Sequence, residues 1–264
     1  MPRRNLLLAA LPDTAWRRLL PQLEWVQMPL DRVLHESSSE MAYAYFPTTA
    51  IVSLTYETED GSSIEVAVVG NEGIVGVELF LGGGSTPCRA VVRNAGQAFR
   101  LPARVIKDEI GQAGPLVHLL LRYTQALISQ MVQTAVCSRH HSLERRLCRW
   151  LLMGLDRVDG NELVATQEQI ASMLGVRREG VTASAFALQR LGLISYARGH
   201  IVAMNRHGLE QRACECYAAV KREYGRLLPA TCPETVATRE SASPVTPNGT
   251  SAPTTRLAAL ANAE

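Results

Sequence analysis

Residues 166–190 carry two helical patterns joined by a single glycine, and this pair constrains the rest of the chain most strongly. Thr166 and Gln169 have the spacing of a capping box, which predicts that a helix begins here. Gly175 follows about two turns later, where a left-handed backbone ends a helix without a steric cost. A second apolar stripe is formed by Val176, Val181, Ala185 and Leu188. A second helix should therefore start near Arg177, and the two together predict a helix-turn-helix.

The outward side of the second helix carries groups that can bind nucleic acid. Its residues are Arg177, Arg178, Glu179, Thr182, Ala183, Gln189 and Arg190. Such donors and acceptors hydrogen-bond base edges or hold phosphates. For an isolated helix, a solvated charged face is the simpler interpretation. The segment that follows favours the nucleic-acid interpretation.

Residues 193–204 predict a β-hairpin, because two short β-prone runs flank a turn that contains glycine. Arg198 and His200 would lie at its tip. A helix-turn-helix followed by such a hairpin is a winged helix, and the wing lies where a phosphate backbone would pass. Residues 139–226 hold 14 lysines and arginines against 9 acidic residues, so positive charge is concentrated in this part of the chain.

The chain resembles the Crp/Fnr family of bacterial transcription regulators. The resemblance is carried by residues 166–188 and by Leu191-Gly192-Leu193-Ile194 before the wing, and it covers about residues 14–226. It implies that Arg178 donates to a guanine and that Glu179 accepts from a cytosine. Ala183 stands where the family usually has arginine, which implies a different DNA half-site and a possible apolar contact with a thymine methyl group.

The helix pattern, the hairpin pattern and the family resemblance together give two sets of candidate DNA contacts. The base-contact candidates are Arg178, Glu179, Thr182 and Ala183. The phosphate-contact candidates are Thr166, Gln167, Arg177, Arg190, Arg198 and His200.

Residues 24–104 contain short β runs at regular intervals, which predicts a double-sheet domain of jelly-roll type. The family resemblance implies a cyclic-nucleotide-binding-like fold that senses an effector. The candidate effector pocket comprises Gly76, Glu78, Arg89 and Ala90. Glu78 arrives one position later than in cyclic-nucleotide binders, and no hydroxyl residue separates Arg89 from Ala90. A buried phosphate needs several donors, so we expect an unknown small-molecule effector other than a cyclic nucleotide.

Gly114-Pro115 predicts the start of a long helix with a heptad-like apolar seam. The seam residues are Val117, Leu121, Thr124, Ile128, Met131 and Ala135. A helix buried on two sides within a monomer is one interpretation. A homodimer on a palindromic operator is favoured, because one winged helix makes few base contacts and two can read half-sites one DNA turn apart.

The cysteines and histidines give weaker signals. The sequence has no C-x-x-C pair, and on a helix the side chains of Cys214 and Cys216 would diverge by roughly 200°. We therefore expect buried or idle thiols rather than a metal or redox site. Adjacent His140 and His141 would point about 100° apart, which favours exposed hinge residues. The sequence thus predicts no metal and no cofactor.

The whole chain is expected to be an α+β protein. Its predicted parts are N-terminal helices (1–23), a β-roll sensor domain (24–104), a dimerisation helix (105–138), a winged helix-turn-helix (139–228, closed by one helix from Asn205 to Leu228) and a disordered tail (229–264). The predicted function is DNA-binding transcription regulation in the cytoplasm, with RNA polymerase as a candidate partner and no membrane association. The alternative is a regulatory module whose winged helix contacts proteins. Glu65, Glu72 and Glu78 are interpreted as turn or edge carboxylates, so an enzyme is not expected.

Overall fold

The computed structural model describes residues 1–228, and the predicted disordered tail lies outside the described residues. The first elements are α1 (Leu6–Ala9), α2 (Asp13–Leu19), β1 (Glu24–Met28), β2 (Val33–His35), β3 (Tyr43–Pro47), β4 (Ile51–Glu57), β5 (Ser63–Val69), α3 (Glu78–Leu81), β6 (Arg89–Asn94) and β7 (Gly96–Pro102). The remaining elements are α4 (Ala103–Gly111), α5 (Pro115–His140), α6 (Leu143–Leu155), β8 (Glu162–Val164), α7 (Gln167–Leu174), α8 (Arg178–Arg190), β9 (Ile194–Ala197), β10 (His200–Ala203), α9 (Arg206–Arg212) and α10 (Glu215–Leu227).

The N-terminal part contains two antiparallel sheets. One has the strand order β2-β6-β4-β5 and the other the order β1-β7-β3. Side chains from both sheets meet in one core, with Phe46 and Val92 among its fully buried members, and helices α1, α2 and α4 and the start of α5 also contribute to this core. The predicted α+β class and double-sheet domain are confirmed.

The C-terminal part has a second core formed by α6 to α10 and the three-stranded sheet β8-β10-β9. The prediction of one closing helix over residues 205–228 was wrong. Ala213 and Cys214 have extended backbones, which separate α9 from α10. None of the helices within residues 1–228 has both the length and the apolar character that a bilayer span requires.

Polar side chains join the two parts. The Gln130 side chain, on α5, donates to the carbonyl oxygen of Val68 (3.1 Å) and to the hydroxyl of Tyr224 (3.0 Å). Arg157 pairs with Glu72 at 2.8 Å, and both side chains are largely buried. Because breaking a buried ion pair leaves an uncompensated charge, this pair holds the segment just after α6 against the β domain.

Glu65, on β5, lines the contact between the β domain and helix α6 together with Trp150. Burial raises the pKa of the Glu65 carboxyl and outweighs the opposing effect of the hydrogen bond from Ser53. The folded chain therefore binds this proton more tightly than the unfolded chain does. The resulting stabilisation is present at low pH and is lost as the pH rises through the raised pKa.

We predict that Glu65→Gln has a higher melting temperature than the wild type at pH 7, because glutamine keeps a hydrogen-bond acceptor for Ser53 without the buried charge. The difference should vanish near pH 4, where the carboxyl is largely protonated in both states. Thermal unfolding followed by circular dichroism over this pH range measures it. Glu57→Gln, on the exposed end of β4, is the matched control and should show no such trend. A pH-independent difference for Glu65→Gln would contradict the assignment.

Candidate nucleic-acid interface

The capping box at the start of α7 is confirmed. The backbone N–H of Thr166 donates to Gln169 Oε1 (2.9 Å), and the N–H of Gln169 donates to Thr166 Oγ1 (3.2 Å). Gly175 ends the helix with a φ of 61°, in the left-handed region that favours glycine. The predicted helix-turn-helix therefore has the expected start and turn.

The position of α8 is set by its inner stripe. Val181, Ala185 and Leu188 are buried in the C-terminal core. The helix also approaches α6 closely at Gly180, where an added Cβ would come within 2.8 Å of the Leu143 side chain. This packing leaves the opposite face of α8 in solvent.

The four base-contact candidates lie on that exposed face. Arg178, Glu179, Thr182 and Ala183 are all exposed and occupy the first two turns of α8. The sequence interpretation missed Phe186, whose side chain is 61% exposed on the same face. The available signal was a phenylalanine on the helix face that otherwise carries polar residues. Such a side chain can contact the methyl group of thymine.

The wing is a hairpin of β9 and β10 with a two-residue turn. Arg198 and Gly199 have φ values of 52° and 84°, as a type I′ turn requires at both central positions. Glycine adopts this conformation freely, whereas arginine adopts it at a cost. Strand β8, which was not predicted, pairs with β10 and ties the wing to the C-terminal core.

An open groove lies between the start of α7, the start of α8 and the wing. Its lining residues are Thr166, Gln167, Glu168, Arg178, Tyr196, Arg198 and Gly199. Thr182 Oγ1 donates to Gln167 Oε1 at 2.6 Å, and the Tyr196 hydroxyl donates to the Ala165 carbonyl at 2.8 Å. The groove is thus lined by two arginines, Arg178 and Arg198, and by one acidic residue, Glu168, beside the N-terminus of α7, where backbone N–H groups favour an anion.

Three phosphate candidates lie elsewhere. Arg177 is the exposed N-cap residue of α8, whereas Arg190 ends that helix, about 18 Å along its axis from Arg178. His200 Nδ1 lies 2.5 Å from the Glu162 carboxylate, so its ring already has a protein partner. A phosphate at His200 would have to compete with that carboxylate.

The four effector-pocket candidates do not form one open anion site. Arg89 pairs with Glu36, with 2.8 Å between Nε and Oε2, and Ala90 is fully buried in the core. Gly76 has a φ of 106°, and a Cβ added at this position would lie 3.4 Å from the Cα of Ala44. Both side chains are partly exposed, so this ion pair is weak, and an anionic effector would compete with Glu36 for Arg89.

Two residues of the predicted dimer seam make contacts within their own chain. Thr124 is buried and donates to the Leu120 carbonyl at 2.9 Å, and Met131 packs against the β-domain core. Thr124 therefore faces its own chain, whereas Met131 remains partly exposed. The apolar residues that α5 leaves in solvent are Leu121, Ile128, Val132 and Val136, while Val117 is partly exposed and Ala135 exposed beside them.

The expected absence of a metal site also rested on wrong geometry. Cys214 is the N-cap of α10 with an extended backbone, so its side chain does not diverge from that of Cys216 as two helical positions would. The His141 side chain is only 8% exposed and lies beside these cysteines. Cys137, His141, Cys214 and Cys216 therefore form one cluster, which sequence spacing alone could not assemble.

Comparison with known proteins assigns part of the chain. Residues 145–212 match the family model of the Crp-like helix-turn-helix domain. No curated protein sequence matches the chain.

Several solved structures share the fold of the described chain. FixK2 from Bradyrhizobium japonicum superposes with a TM-score of 0.63 at 17% identity, over 73% of this chain and 98% of FixK2. A transcriptional regulator of the crp/fnr family from Eubacterium rectale gives a TM-score of 0.63 at 17% identity, over 80% and 98% of the two chains. The c-di-GMP-responsive regulator CLP from Xanthomonas campestris gives 0.59 at 15% identity, over 74% and 100%. The chain therefore has a Crp-like helix-turn-helix domain, and its described part shares the fold of solved Crp/Fnr transcriptional regulators.

Proposed function

We propose that this protein is a homodimeric transcription regulator that reads a palindromic DNA operator in the cytoplasm. The observation that carries the proposal is the exposed face of α8, which stands beside an open groove lined by Arg178 and Arg198. An α-helix fits the major groove of B-DNA, and a neighbouring basic wing can hold the adjacent phosphate backbone.

Different residues of α8 would contact different bases. Arg178 donates two hydrogen bonds to a guanine, and Glu179 accepts from a cytosine. Thr182 is held by Gln167 and can present its methyl group or hydroxyl to a base. Ala183 and Phe186 add apolar contacts with thymine methyl groups, which favours a half-site containing both G·C and A·T pairs.

Residues around the exposed face of α8 would bind phosphates. Gln167 offers its side-chain NH2 group at the start of α7, and Arg198 approaches from the wing. The N–H and the hydroxyl of Thr166 both donate to Gln169 and would have to be released to reach a phosphate. Arg177 and Arg190 reach phosphates beyond the two ends of α8. Each such contact releases counterions from DNA, so binding should weaken steeply as salt is added.

A second copy of the chain would cover the exposed apolar row of α5. Leu121, Ile128 and Val132 are each more than half exposed, although they lie in the middle of a 26-residue helix. Their spacing of seven and four residues places them on one stripe, as in a two-helix seam. Pairing two such helices buries both rows and presents two winged helices to one duplex.

The β domain would bind a small-molecule effector that changes the affinity for DNA. CLP, which shares the fold, is described as c-di-GMP-responsive. In this chain Arg89, the arginine expected to hold a cyclic phosphate, forms an ion pair with Glu36. This pairing, with no hydroxyl residue between Arg89 and Ala90, supports an effector other than a cyclic mononucleotide. Activation of transcription would further require contact with RNA polymerase.

Selection from a pool of random duplexes tests the proposal directly. The full-length protein should enrich a palindrome whose half-site centres lie about one DNA turn apart. Enrichment of no motif, together with equal binding to unrelated duplexes, would instead favour a winged helix that contacts proteins.

We predict that Arg178→Ala weakens binding to the selected operator by about 1–3 kcal/mol and removes the preference at one base pair of each half-site. Fluorescence anisotropy on the operator and on single-base variants measures both effects. Arg17→Ala removes an equal charge from an exposed position on α2 and should leave binding unchanged. Equal weakening on all duplexes would show that Arg178 holds phosphate rather than a base.

Arg198 permits a separation of stability from DNA binding. We expect Arg198→Gly to be more stable than Arg198→Ala by about 1 kcal/mol, because only glycine accepts the left-handed turn without cost. Both variants should lose DNA affinity to the same extent, with the salt dependence reduced by about one phosphate contact. Denaturant unfolding and anisotropy at several salt concentrations measure the two properties. Unchanged DNA affinity in both variants would remove Arg198 from the interface.

For the dimer, we predict that Ile128→Glu produces monomers, because the new carboxylates would face each other in the seam. Sedimentation equilibrium measures the mass, and operator affinity should fall by at least tenfold. Gln133→Glu adds the same charge about 140° around α5 from Ile128 and should remain dimeric. A monomeric wild type, or a dimeric Ile128→Glu variant, would reject this seam.

A further inference from the structure

Four potential metal ligands meet where the end of α5 contacts the start of α10. Cys137 lies in the last turn of α5, and His141 directly follows that helix. Cys214 caps α10, and Cys216 lies in its first turn. The four ligand atoms all lie within 4.8 Å of one another. Residues far apart in the sequence thus place their sulfur and nitrogen atoms around one point.

We propose that Cys137, His141, Cys214 and Cys216 bind one Zn²⁺ ion in a tetrahedral Cys3His site. Thiolate and imidazole are the ligands that zinc prefers, with bonds of about 2.3 Å to sulfur and 2.0–2.1 Å to nitrogen. These bond lengths put neighbouring ligand atoms roughly 3.7 Å apart. The observed distances of 3.4 Å between the sulfurs of Cys137 and Cys214 and 3.6 Å from Cys216 Sγ to His141 Nδ1 are close to that spacing.

The surroundings of His141 match those of a metal-binding histidine. Its Nε2 lies 3.0 Å from Oε1 of Glu215, while Nδ1 points toward Cys216. A carboxylate on one ring nitrogen fixes the proton there and leaves the other nitrogen free to coordinate. Glu215 thus takes the place of the outer carboxylate in a carboxylate–histidine–zinc arrangement.

Arg149 supplies a second, independent indication. This residue is only 9% exposed, and its Nη2 donates to Thr134 Oγ1 at 3.0 Å. Its Nε has no hydrogen-bond partner among residues 1–228. A buried cation needs a compensating anion, and the Glu65 carboxyl is one such group near Arg149. Three thiolates around Zn²⁺, with a net charge of −1, would be a second. Arg149 lies close enough to act electrostatically on Cys137 and Cys216, so it can balance such a site.

A disulfide explains fewer of these observations. Bonding Cys137 to Cys214 would require the sulfurs to approach from 3.4 Å to about 2.05 Å, and it would leave Cys216 and His141 without a role. A multi-iron cluster needs a wider cage than these closely spaced ligand atoms provide. One ion accounts for all four side chains.

The position of the site gives the ion a mechanical role. It would clamp the end of the long helix α5 to α10, across the break at His141 and Ser142 where α5 gives way to α6. Metal binding to the folded chain stabilises it, so the loaded protein should melt at a higher temperature than the stripped protein. This inference concerns metal binding alone and does not depend on DNA recognition.

The test uses the full-length protein, purified under reducing conditions, stripped with a chelator and reloaded with Zn²⁺ or Co²⁺. Elemental analysis should find one zinc per chain. The cobalt form should show the intense visible bands of a tetrahedral site and a thiolate charge-transfer band. Cys137→Ser, Cys214→Ser and Cys216→Ser should each lose these bands or shift them strongly, and His141→Asn should weaken binding at least tenfold.

Cys88→Ser and His140→Asn are the matched controls, since the first removes a thiol outside the cluster and the second removes the exposed neighbouring histidine. Both should bind as the wild type does. X-ray absorption on the zinc-loaded wild type requires no variant and should show three sulfur and one nitrogen ligand. No retained zinc, unchanged cobalt bands in the cysteine variants, an iron–sulfur chromophore, or a Cys137–Cys214 disulfide in reduced-purified protein would each overturn the proposal.

Discussion

The packing of α8 against α6 is the contact on which the rest of the C-terminal part depends. Val181, Ala185 and Leu188 fill the inner side of α8, and Gly180 allows the two helices to approach closely beside Leu143. Burying this stripe fixes which side of α8 remains in solvent. The capped start of α7 and the wing then lie on either side of that exposed face. One hydrophobic contact thus orients the donors and acceptors proposed to read DNA.

The two halves of the molecule are joined by polar contacts at defined points. The buried Arg157–Glu72 pair and the hydrogen bonds of Gln130 connect the β domain to α6 and α10. The cysteine and histidine cluster joins the end of α5 to the start of α10. These contacts are where the proposed effector binding in the β domain would have to act on the proposed DNA binding.

Local signals were sufficient to predict much of this structure. The Thr166–Gln169 capping box, the left-handed Gly175 and the glycine turn of the wing each depend on a few neighbouring residues. Helical periodicity also identified the exposed face of α8. Phe186 was missed because its apolar side chain stands where the pattern expects a polar residue.

The errors share a physical cause, which is that tertiary packing decides features that spacing leaves open. Thr124 fits a heptad pattern but hydrogen-bonds within its own helix on the buried side. Cys214 and Cys216 diverge only if both are helical, and the break between α9 and α10 removes that condition. Arg89 has the right residue type for an anion site, yet Glu36 comes from a distant loop to pair with it. Contacts between segments distant in sequence give no local pattern.

The central claim is that two copies of α8 enter successive major grooves on one side of a duplex. Methylation interference on the selected operator tests it, because N7 of guanine faces the major groove. Methylation should block binding at guanines in two clusters whose centres lie about 10–10.5 base pairs apart. Binding that tolerates methylation at every guanine, or interference confined to a single cluster, would contradict it.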